Sequence, residues 1–326
     1  MQKVLRLLGV VGIATVLALP GTSQACVLGQ GNGGIFPENN ANIPVGRFGL
    51  FSIEKEVFMS AIDRAEKIYG PVFVKEGRTL EIQRKWEDGT VNAYASREGT
   101  KSIVAMFGGL ARHPLVTGDA FSMVICHELG HHIGGAPKKK GFFFASWASN
   151  EGQSDYFATL KCAREIWKNE DNEAIVANMI VDSTAKARCE KSWSRSDDVA
   201  LCIRSAMAGK SLADTLADLG KAPTTDFSKP DTKVVVKTDD AHPAAQCRLD
   251  TYFAGSLCTV DKDIAVDDAD ATKGTCASEN KAKEAFRPMC WYKPAGVTPQ
   301  PTPTPTGRPT PRPTPSPTPG GSTWPR

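Results

Sequence analysis

The sequence has little of what marks membrane-embedded or nucleic-acid-binding proteins. After residue 19 it contains no apolar run near the roughly 20 residues that a transmembrane helix requires. Charge of one sign is not in excess either: beyond residue 25, 37 Lys and Arg (the total of 39 less Lys3 and Arg6) face 36 Asp and Glu. A chain so close to neutral has no strong electrostatic attraction for nucleic acid. We therefore expect neither a nucleic-acid partner nor an integral membrane segment once residues 1–25 are removed.

Cysteine pairs at metal-binding spacing are also missing. None of the nine cysteines forms a Cys-x-x-Cys pair, which argues against a zinc site made of thiolates. In an oxidising compartment cysteines form disulfides, and we expect these to staple a helical region over 160–290. Cys126, on an apolar helix, is predicted to be a buried free thiol. Four bridges would then need Cys26 and the seven others, at positions 162, 189, 202, 247, 258, 276 and 290.

Residues 1–25 have the pattern of a secretory signal peptide. A basic start precedes an apolar run over 7–19, and Ser23-Gln24-Ala25 offers small residues where a signal peptidase cuts. We therefore expect an exported protein, either periplasmic or secreted. A lipid anchor on Cys26 is the less favoured alternative, because the residues before it lack the usual leucine.

Composition divides the rest of the chain into three parts. Residues 26–52 are rich in Gly and Asn and predict an irregular lead-in, whereas 53–293 has the apolar content of a folded domain. Residues 294–326 are mostly Pro, Thr, Gly and Arg, which cannot form a core. We expect this tail to be a disordered spacer, with a glycan-decorated or wall-associating stalk as the alternative.

The spacing of apolar residues predicts a mixture of helices and short strands. Helices are expected at 53–68, 120–133, 150–167, within 170–225 and at 244–257. Strands are expected at 72–74, 80–86, 91–96, 102–106 and 232–237. Gly70-Pro71 is the predicted end of the first helix, Asp119 the predicted cap of the second, and Asp88-Gly89 a predicted hairpin turn. The pattern indicates an α+β fold with a small antiparallel sheet and a Cys-containing helical C-terminal part.

The segment His127-Glu128-Leu129-Gly130-His131 lies on the strongest predicted helix. Residues four apart share a helix face, so His127 and His131 can bind one metal ion. Glu128 is turned by about 100° from His127, which places its carboxylate beside the ion, where it can accept a proton from a water molecule. The segment therefore predicts a zinc site with its own general base.

A second acidic segment supplies the rest of this site. A catalytic zinc ion takes three protein ligands and keeps one position open. Glu151 begins the next predicted helix 20 residues after His131 and is the predicted third ligand. Asp155, one turn later, is predicted to accept the other ring N–H of a ligand histidine. A capped helix with a solvated acidic first turn is the alternative, but we favour one zinc ion per chain.

Together these residues resemble the gluzincin metallopeptidases and, more narrowly, the M48 (Ste24- and HtpX-like) family. Two flanking elements are also similar to that family: Asn92-Ala93-Tyr94-Ala95 resembles its edge strand, and His242-Pro243 with Arg248 its His-Pro…Arg element. The resemblance covers residues 53–155 and a patch over 242–257. Family members typically carry transmembrane helices, and here Ser154 replaces their usual alanine.

The resemblance implies a zincin-like domain in which a helix with both histidines packs on a helix with the glutamate. It implies that Asn92, Ala93 and Tyr94 pair with the substrate peptide as an added strand. It further implies that His242 and Arg248 stabilise the oxyanion of the reaction. For those two residues, a loop cap and a structural salt bridge are the alternatives.

The function that follows is zinc-dependent hydrolysis of a peptide or unfolded protein, with Glu128 as general base. A non-catalytic zinc-fold chaperone or binding protein of the cell envelope is the alternative, although such a protein has no need of Glu128. A hydrolase of a non-peptide substrate is a third possibility, against which the edge strand at Asn92 argues.

The remaining histidines and one basic-aromatic loop are assigned structural roles. His132 follows the metal motif on another helix face and is predicted to pack in the core or at its rim. His113, before a proline in a loop, is predicted to lie on the surface without a partner. Residues 138–144 are expected to cover the core beneath the site, with contact to a membrane or substrate as the alternative.

Overall fold

The structure, a computed structural model, describes residues 23–24, 34–46, 53–140, 145–277 and 283–294 of the 326-residue chain. The chain divides into one unit over residues 1–293 and another over 294–326. Cys26, the Pro/Thr-rich tail and all of the predicted signal peptide except Ser23–Gln24 lie outside the described residues.

The described residues form an α+β arrangement. The strands are β1 Ser23–Gln24, β2 Thr79–Lys85, β3 Ala93–Glu98, β4 Lys101–Phe107, β5 Lys138–Lys140 and β6 Ala145–Ser149. The helices are α1 Lys55–Lys75, α2 Gly108–Ala111, α3 Gly118–Ile133, α4 Glu151–Phe157, α5 Ala163–Ile166, α6 Asn172–Ala177, α7 Ser183–Ser192, α8 Ser196–Leu219 and α9 Ala245–Leu257. A π-helical turn, Ala158–Cys162, joins α4 to α5, and a 3-10 turn spans Lys283–Ala285. No helix in the described ranges is long and apolar enough to cross a membrane.

The main sheet is mixed rather than antiparallel, which corrects the sequence prediction. Its strand order is β1-β3-β4-β2, with β3 antiparallel and β2 parallel to β4. The predicted hairpin at Asp88-Gly89 is therefore wrong. The backbone there instead receives hydrogen bonds from α2, including one from the Gly109 N–H to the Asp88 carbonyl at 2.9 Å. The true hairpin joins β3 to β4 at Gly99, whose φ of +57° suits glycine.

Helix α1 continues through the predicted stop at Gly70-Pro71, so the strand predicted at 72–74 is also wrong. Tyr69 and Phe73 lie one helical turn apart and are both buried in the core. Keeping them on one face requires the helix to continue. The burial of these two aromatic rings outweighs the one backbone hydrogen bond that proline removes.

Helix α3 forms the centre of the domain, packed against α1, α4, α8 and the sheet, and is buried along most of its length. It begins at the cap Thr117, whose side chain accepts a hydrogen bond from the Ala120 N–H at 3.1 Å. The predicted cap Asp119 is instead inside the first turn and binds the Arg204 guanidinium at 2.7 Å. The helix ends at Ile133, as predicted, and Gly134 is its C-terminal cap.

The helix predicted over 150–167 is confirmed as the continuous run of α4, the π turn and α5, with Asn150 as its cap. A disulfide joins Cys126 of α3 to Cys162 of the π turn, with the two Cα atoms 5.5 Å apart. The prediction that Cys126 is a free thiol is therefore wrong, although the residue is buried as expected. Helical periodicity places a residue on a face but does not reveal which other helix meets that face.

Three further disulfides hold the C-terminal half: Cys189–Cys202, Cys247–Cys290 and Cys258–Cys276. The region over 170–225 is helical, as predicted, in α6, α7 and α8. The run 232–237 forms no regular strand; one hydrogen bond, from the Val235 N–H to the Met289 carbonyl at 2.9 Å, ties it to the segment before Cys290.

His113 is buried rather than exposed, which corrects its predicted surface position. Its loop packs against α8, and its Nε2 lies 3.4 Å from a carboxylate oxygen of Asp218. The neighbouring Thr117 N–H also reaches Ser211 of α8, at 3.4 Å. Pro114 correctly indicated that His113 lies in a loop, but the local sequence could not indicate that this loop packs against α8.

Candidate metal centre

The two histidines of α3 meet the first residue of α4 in the interior of the domain. One ligand atom from each of His127, His131 and Glu151 lies within 4.8 Å of the others, and all three side chains are fully buried. The His127 Nε2 lies 3.2 Å from Glu151 Oε2, and the His131 Nε2 lies 3.7 Å from Glu151 Oε1. These are the three predicted ligands, and the group can hold a metal ion.

Close packing of α3 on α4 brings the ligands together. A Cβ added at Gly130 would lie 3.0 Å from the Cα of Ser154, so glycine lets the two helices approach at this point. The cap Asn150 begins α4 by accepting a hydrogen bond from the Gln153 N–H at 2.9 Å. Glu151 therefore projects from the first turn of α4 toward the histidine face of α3.

Hydrogen bonds to the far side of each ring orient the two imidazoles. His127 Nδ1 lies 2.7 Å from Asp155 Oδ1, as predicted, and His131 Nδ1 donates to the Ser149 carbonyl at 2.8 Å. With the proton on Nδ1, each ring points its Nε2 lone pair at the centre. Burial lowers the pKa of His131 to about 3. Burial also acts to lower the pKa of His127, but the Asp155 carboxylate outweighs this effect and raises the pKa of His127 to about 9.

Arg248 of α9 holds Asp155 in place. Its Nε donates to Asp155 Oδ2 at 2.7 Å and its Nη2 to Oδ1 at 2.6 Å, while Nη2 also reaches the Tyr252 hydroxyl at 3.0 Å. Burial favours the neutral acid, but the guanidinium outweighs it and lowers the pKa of Asp155. The structure thus places Arg248 behind His127 in a chain of contacts that starts at the metal group.

One neighbouring group fits a cation at this position. Both oxygens of Glu128 are buried, and within the described part of the chain they have no hydrogen-bond partner. Burial raises the pKa of Glu128 to about 8. Buried polar atoms are normally paired, so these atoms indicate a missing cationic or donor partner. Two imidazoles and one carboxylate are the ligand types of many catalytic zinc sites.

Lys139 of β5 is a member of the site that sequence reasoning missed. Its Nζ lies 2.7 Å from Glu151 Oε1, and its side chain is largely buried. Burial raises the pKa of Glu151, but His242 and Lys139 outweigh it and hold that pKa well below its usual value. The sequence showed only a basic run between the two ligand helices; residues 141–144 of the same loop lie outside the described residues.

His242 also reaches the centre, as the resemblance implied. Its Nε2 lies 3.5 Å from Glu151 Oε2 and donates a hydrogen bond to the Gly34 carbonyl at 2.6 Å. Burial lowers the pKa of His242. Because a carbonyl oxygen can only accept, the contact with Gly34 places a hydrogen on Nε2. The ring therefore presents one N–H to the region beside the metal group.

The implied substrate-binding residues border the same region but contact the protein's own chain. Gly34–Phe36, which we call the inner segment, lies along the start of β3. Asn92 exchanges two hydrogen bonds of 3.1 Å with the Phe36 backbone, and the Ala93 carbonyl accepts from the Ile35 N–H at 2.9 Å. The Tyr94 ring packs 5.9 Å from that of Phe107. Sequence reasoning treated 26–52 as an irregular lead-in and did not anticipate the inner segment.

His132 lies outside the centre, which confirms its predicted packing role. Its ring stacks on Trp147 with centroids 4.7 Å apart, and its Nε2 donates to the Ile103 carbonyl at 3.2 Å. It thereby ties α3 to β4 and β6 behind the ligand face.

No protein-family model, curated protein or solved structure matches this chain. The residues of the metal centre are therefore the basis for inferring function. Three features bear on it: the buried His-His-Glu group, the buried Glu128 carboxylate that interacts electrostatically with it, and the His242 Nε2 at 3.5 Å from Glu151 Oε2.

Proposed function

We propose that this protein is an exported zinc-dependent endopeptidase of the gluzincin type, acting on peptides or unfolded proteins. The observation that carries the proposal is the buried group of His127, His131 and Glu151 with the carboxylate of Glu128 beside it. A purely structural zinc site is closed by four ligands, whereas this group supplies three and leaves a position for a reactant.

The chemistry divides among a few side chains. A zinc ion held by His127, His131 and Glu151 supplies Lewis acidity toward a carbonyl oxygen and lowers the pKa of water. Glu128 accepts a proton from the attacking water and returns it to the leaving amine. Burial raises the pKa of Glu128 to about 8 in the metal-free centre, and a cation bound beside it would favour the ionised carboxylate that accepts the proton. The Nε2–H of His242 is the donor for the negative charge that develops on the carbonyl oxygen.

Asp155 and Arg248 have a positioning role in this proposal. Asp155 fixes the His127 ring through Nδ1, and Arg248 fixes Asp155 through two hydrogen bonds. Arg248 thus acts through Asp155 and His127, in place of the direct contact with the oxyanion that the family resemblance implies. Such outer partners raise the basicity of a ligand histidine.

The surrounding fold and the cysteines support the rest of the proposal. A zincin-like domain of the M48 type needs a histidine helix packed on a glutamate helix beside a sheet, and α3, α4 and β3 have that relation. The four disulfides among described residues favour an oxidising compartment, since such bonds are rare in the cytosol. Export, with residues 1–25 as signal peptide, is therefore part of the proposal.

A non-catalytic zinc-fold binding protein is the second candidate. The observation that favours it is the hydrogen bond of 2.6 Å between His242 and the Gly34 carbonyl, which engages the proposed oxyanion donor. Such a protein would bind zinc and peptides without cleaving them.

Substitution of Glu128→Gln separates the two candidates. Zinc content and cleavage of labelled casein would be measured on the zinc-loaded wild-type chain and on the variant. Because the amide cannot accept the proton, we expect the variant to keep one zinc ion per chain and to lose about 10²–10⁴-fold in rate. Equal and measurable rates for the two proteins would contradict the endopeptidase proposal.

A further inference from the structure

The inner segment occupies the edge on which a peptide substrate would pair. Its Ile35 N–H and Phe36 backbone use the hydrogen-bonding groups of Ala93 and Asn92 that an added strand would use. Further along the same edge, the backbone of Ser23–Gln24 pairs antiparallel with Ser96 and Arg97 of β3. Cleavage of the proposed signal peptide after Ala25 would remove Ser23–Gln24, so in the exported chain it is the inner segment that covers the start of β3.

The inner segment also engages two donors beside the metal centre. The Gly34 carbonyl accepts the Nε2–H of His242 at 2.6 Å, and the next carbonyl, that of Ile35, accepts a hydrogen bond from Arg248 Nη1. An imidazole Nε2 carries at most one hydrogen. While Gly34 accepts that hydrogen, His242 cannot donate it to a reacting carbonyl.

Side-chain burial and backbone shape hold the inner segment in this position. Ile35 and Phe36 are fully buried in the main core. Gly34 has a φ of +84°, and a Cβ at this position would lie 2.3 Å from both the Ala93 carbonyl oxygen and Asn92 Oδ1. Burial of two such side chains disfavours withdrawal of the segment by about 10²–10⁴-fold.

We propose that the inner segment is a self-inhibitory strand that keeps the centre latent until it is withdrawn. Its two carbonyls and its backbone N–H groups stand where a substrate strand would place its own. The proposal rests on the peptidase function proposed above and adds its regulation. If the inner segment instead served only to position His242, displacing it would lower the peptidase activity, which is the opposite outcome.

A single added methyl group tests the proposal on the full, zinc-loaded chain. Gly34→Ala introduces the clash with Ala93 and Asn92 and so pushes the Gly34 carbonyl away from His242. Gly46→Ala is the matched control, because Gly46 has a similar φ of +89° but no atom of the described residues within 4 Å of an added Cβ. Cleavage of a quenched fluorescent peptide, zinc content and thermal unfolding would be measured for both variants and for the wild type.

We expect Gly34→Ala to raise kcat/KM by about 10-fold or more at unchanged zinc content, with Gly46→Ala close to wild type. Wild-type activity equal to or above that of a folded Gly34→Ala variant would overturn latency while leaving the peptidase function intact. Absence of cleavage by all three zinc-loaded proteins would overturn both proposals.

A peptide added in trans gives an independent measurement. The peptide Gly-Asn-Gly-Gly-Ile-Phe-Pro-Glu, residues 31–38, should inhibit the Gly34→Ala variant, whereas a scrambled peptide should not. Equal effects of the two peptides would count against the proposal. If Gly34→Ala does not fold, Phe36→Ala removes the anchoring ring instead, and latency again predicts a rise in kcat/KM and its reversal by the peptide.

Discussion

The two sides of the metal centre are assembled in different ways. The metal-binding side comes from two adjacent helices within residues 127–155, and its two histidines are fixed by Asp155 of α4 and by Ser149 at the end of β6. The opposite side joins His242, the start of β3 and the inner segment, which are far apart in sequence. Metal binding should therefore depend on local helix geometry, whereas turnover should depend on long-range contacts that can be changed separately.

Loss of a ligand should have the largest effect on the metal-binding side. Because three or four ligands share an apparent binding free energy of about 10–16 kcal/mol, we expect Glu151→Gln to weaken zinc binding by about 10²–10³-fold and to abolish cleavage. Competition with a fluorescent chelator measures the affinity. Glu190→Gln, a surface carboxylate near Lys186, is the control and should behave as wild type. An unchanged affinity in Glu151→Gln would remove this residue from the ligand set.

Removal of the disulfide between Cys126 and Cys162 should have the next largest effect. Replacing Cys126 and Cys162 by alanine opens a loop of sequence separation 36 and should lower the free energy of unfolding by about 4 kcal/mol. The same change at Cys189 and Cys202, with separation 13, should lower it by about 3 kcal/mol.

Only the first pair joins α3 to the run that begins with α4, so only its loss should also weaken zinc binding. Urea unfolding and chelator competition on both double variants measure the two effects. Equal zinc affinities in the two variants would show that the Cys126–Cys162 disulfide contributes to the stability of the fold but not to zinc binding.

Asp155→Asn should have a smaller effect on metal affinity than loss of a ligand. The amide is a weaker acceptor for His127 Nδ1–H, so we expect a decrease of about 10–100-fold in zinc affinity. The variant also leaves the buried Arg248 guanidinium without its counter-charge, which should lower the free energy of unfolding by about 3–5 kcal/mol. If affinity does not change, Asp155 does not orient His127 in the metal-bound state.

The most gradual effect, and the smallest for a single step of one pH unit, should be a dependence on pH. Proton and metal compete for His127, whose pKa is about 9 in the metal-free protein, so zinc affinity should rise about 10-fold per pH unit from 7 to 9 and then level off. The sign is opposite for metal-free stability: a raised pKa stabilises the fold below about pH 6.5, and that contribution is lost as the pH rises to 9. Chelator competition and urea unfolding across this range measure both slopes. A zinc affinity that does not change between pH 7 and 9 would contradict the conclusion that His127 carries a competing proton in the metal-free protein.

The same contrast explains how much of the molecule was predictable from sequence. His127, Glu128 and His131 follow from spacing along one helix, which fixes which side chains share a face. Glu151 and Asp155 follow from the acidic first turns of the next helix together with the three-ligand requirement of a catalytic zinc ion. The helices over 120–133, 150–167 and 244–257 were predictable from the helical spacing of their apolar residues.

Features that depend on which distant elements meet were not predictable. The parallel pairing of β2 with β4, the Cys126–Cys162 bond and the contact of Lys139 with Glu151 all depend on tertiary packing. The inner segment is the clearest case, because its one glycine and two apolar residues show no regular period. Its role emerges only from its position against Ala93 and His242.

The most direct test of the central claim is a zinc titration of peptidase activity. The Gly34→Ala chain would be stripped with a chelator, zinc would be added back in steps, and peptide cleavage and bound zinc would be measured in the same samples. The account predicts no cleavage without metal and a linear rise that saturates at one zinc ion per chain. Cleavage that persists in the stripped protein, or no cleavage at full zinc occupancy, would contradict it.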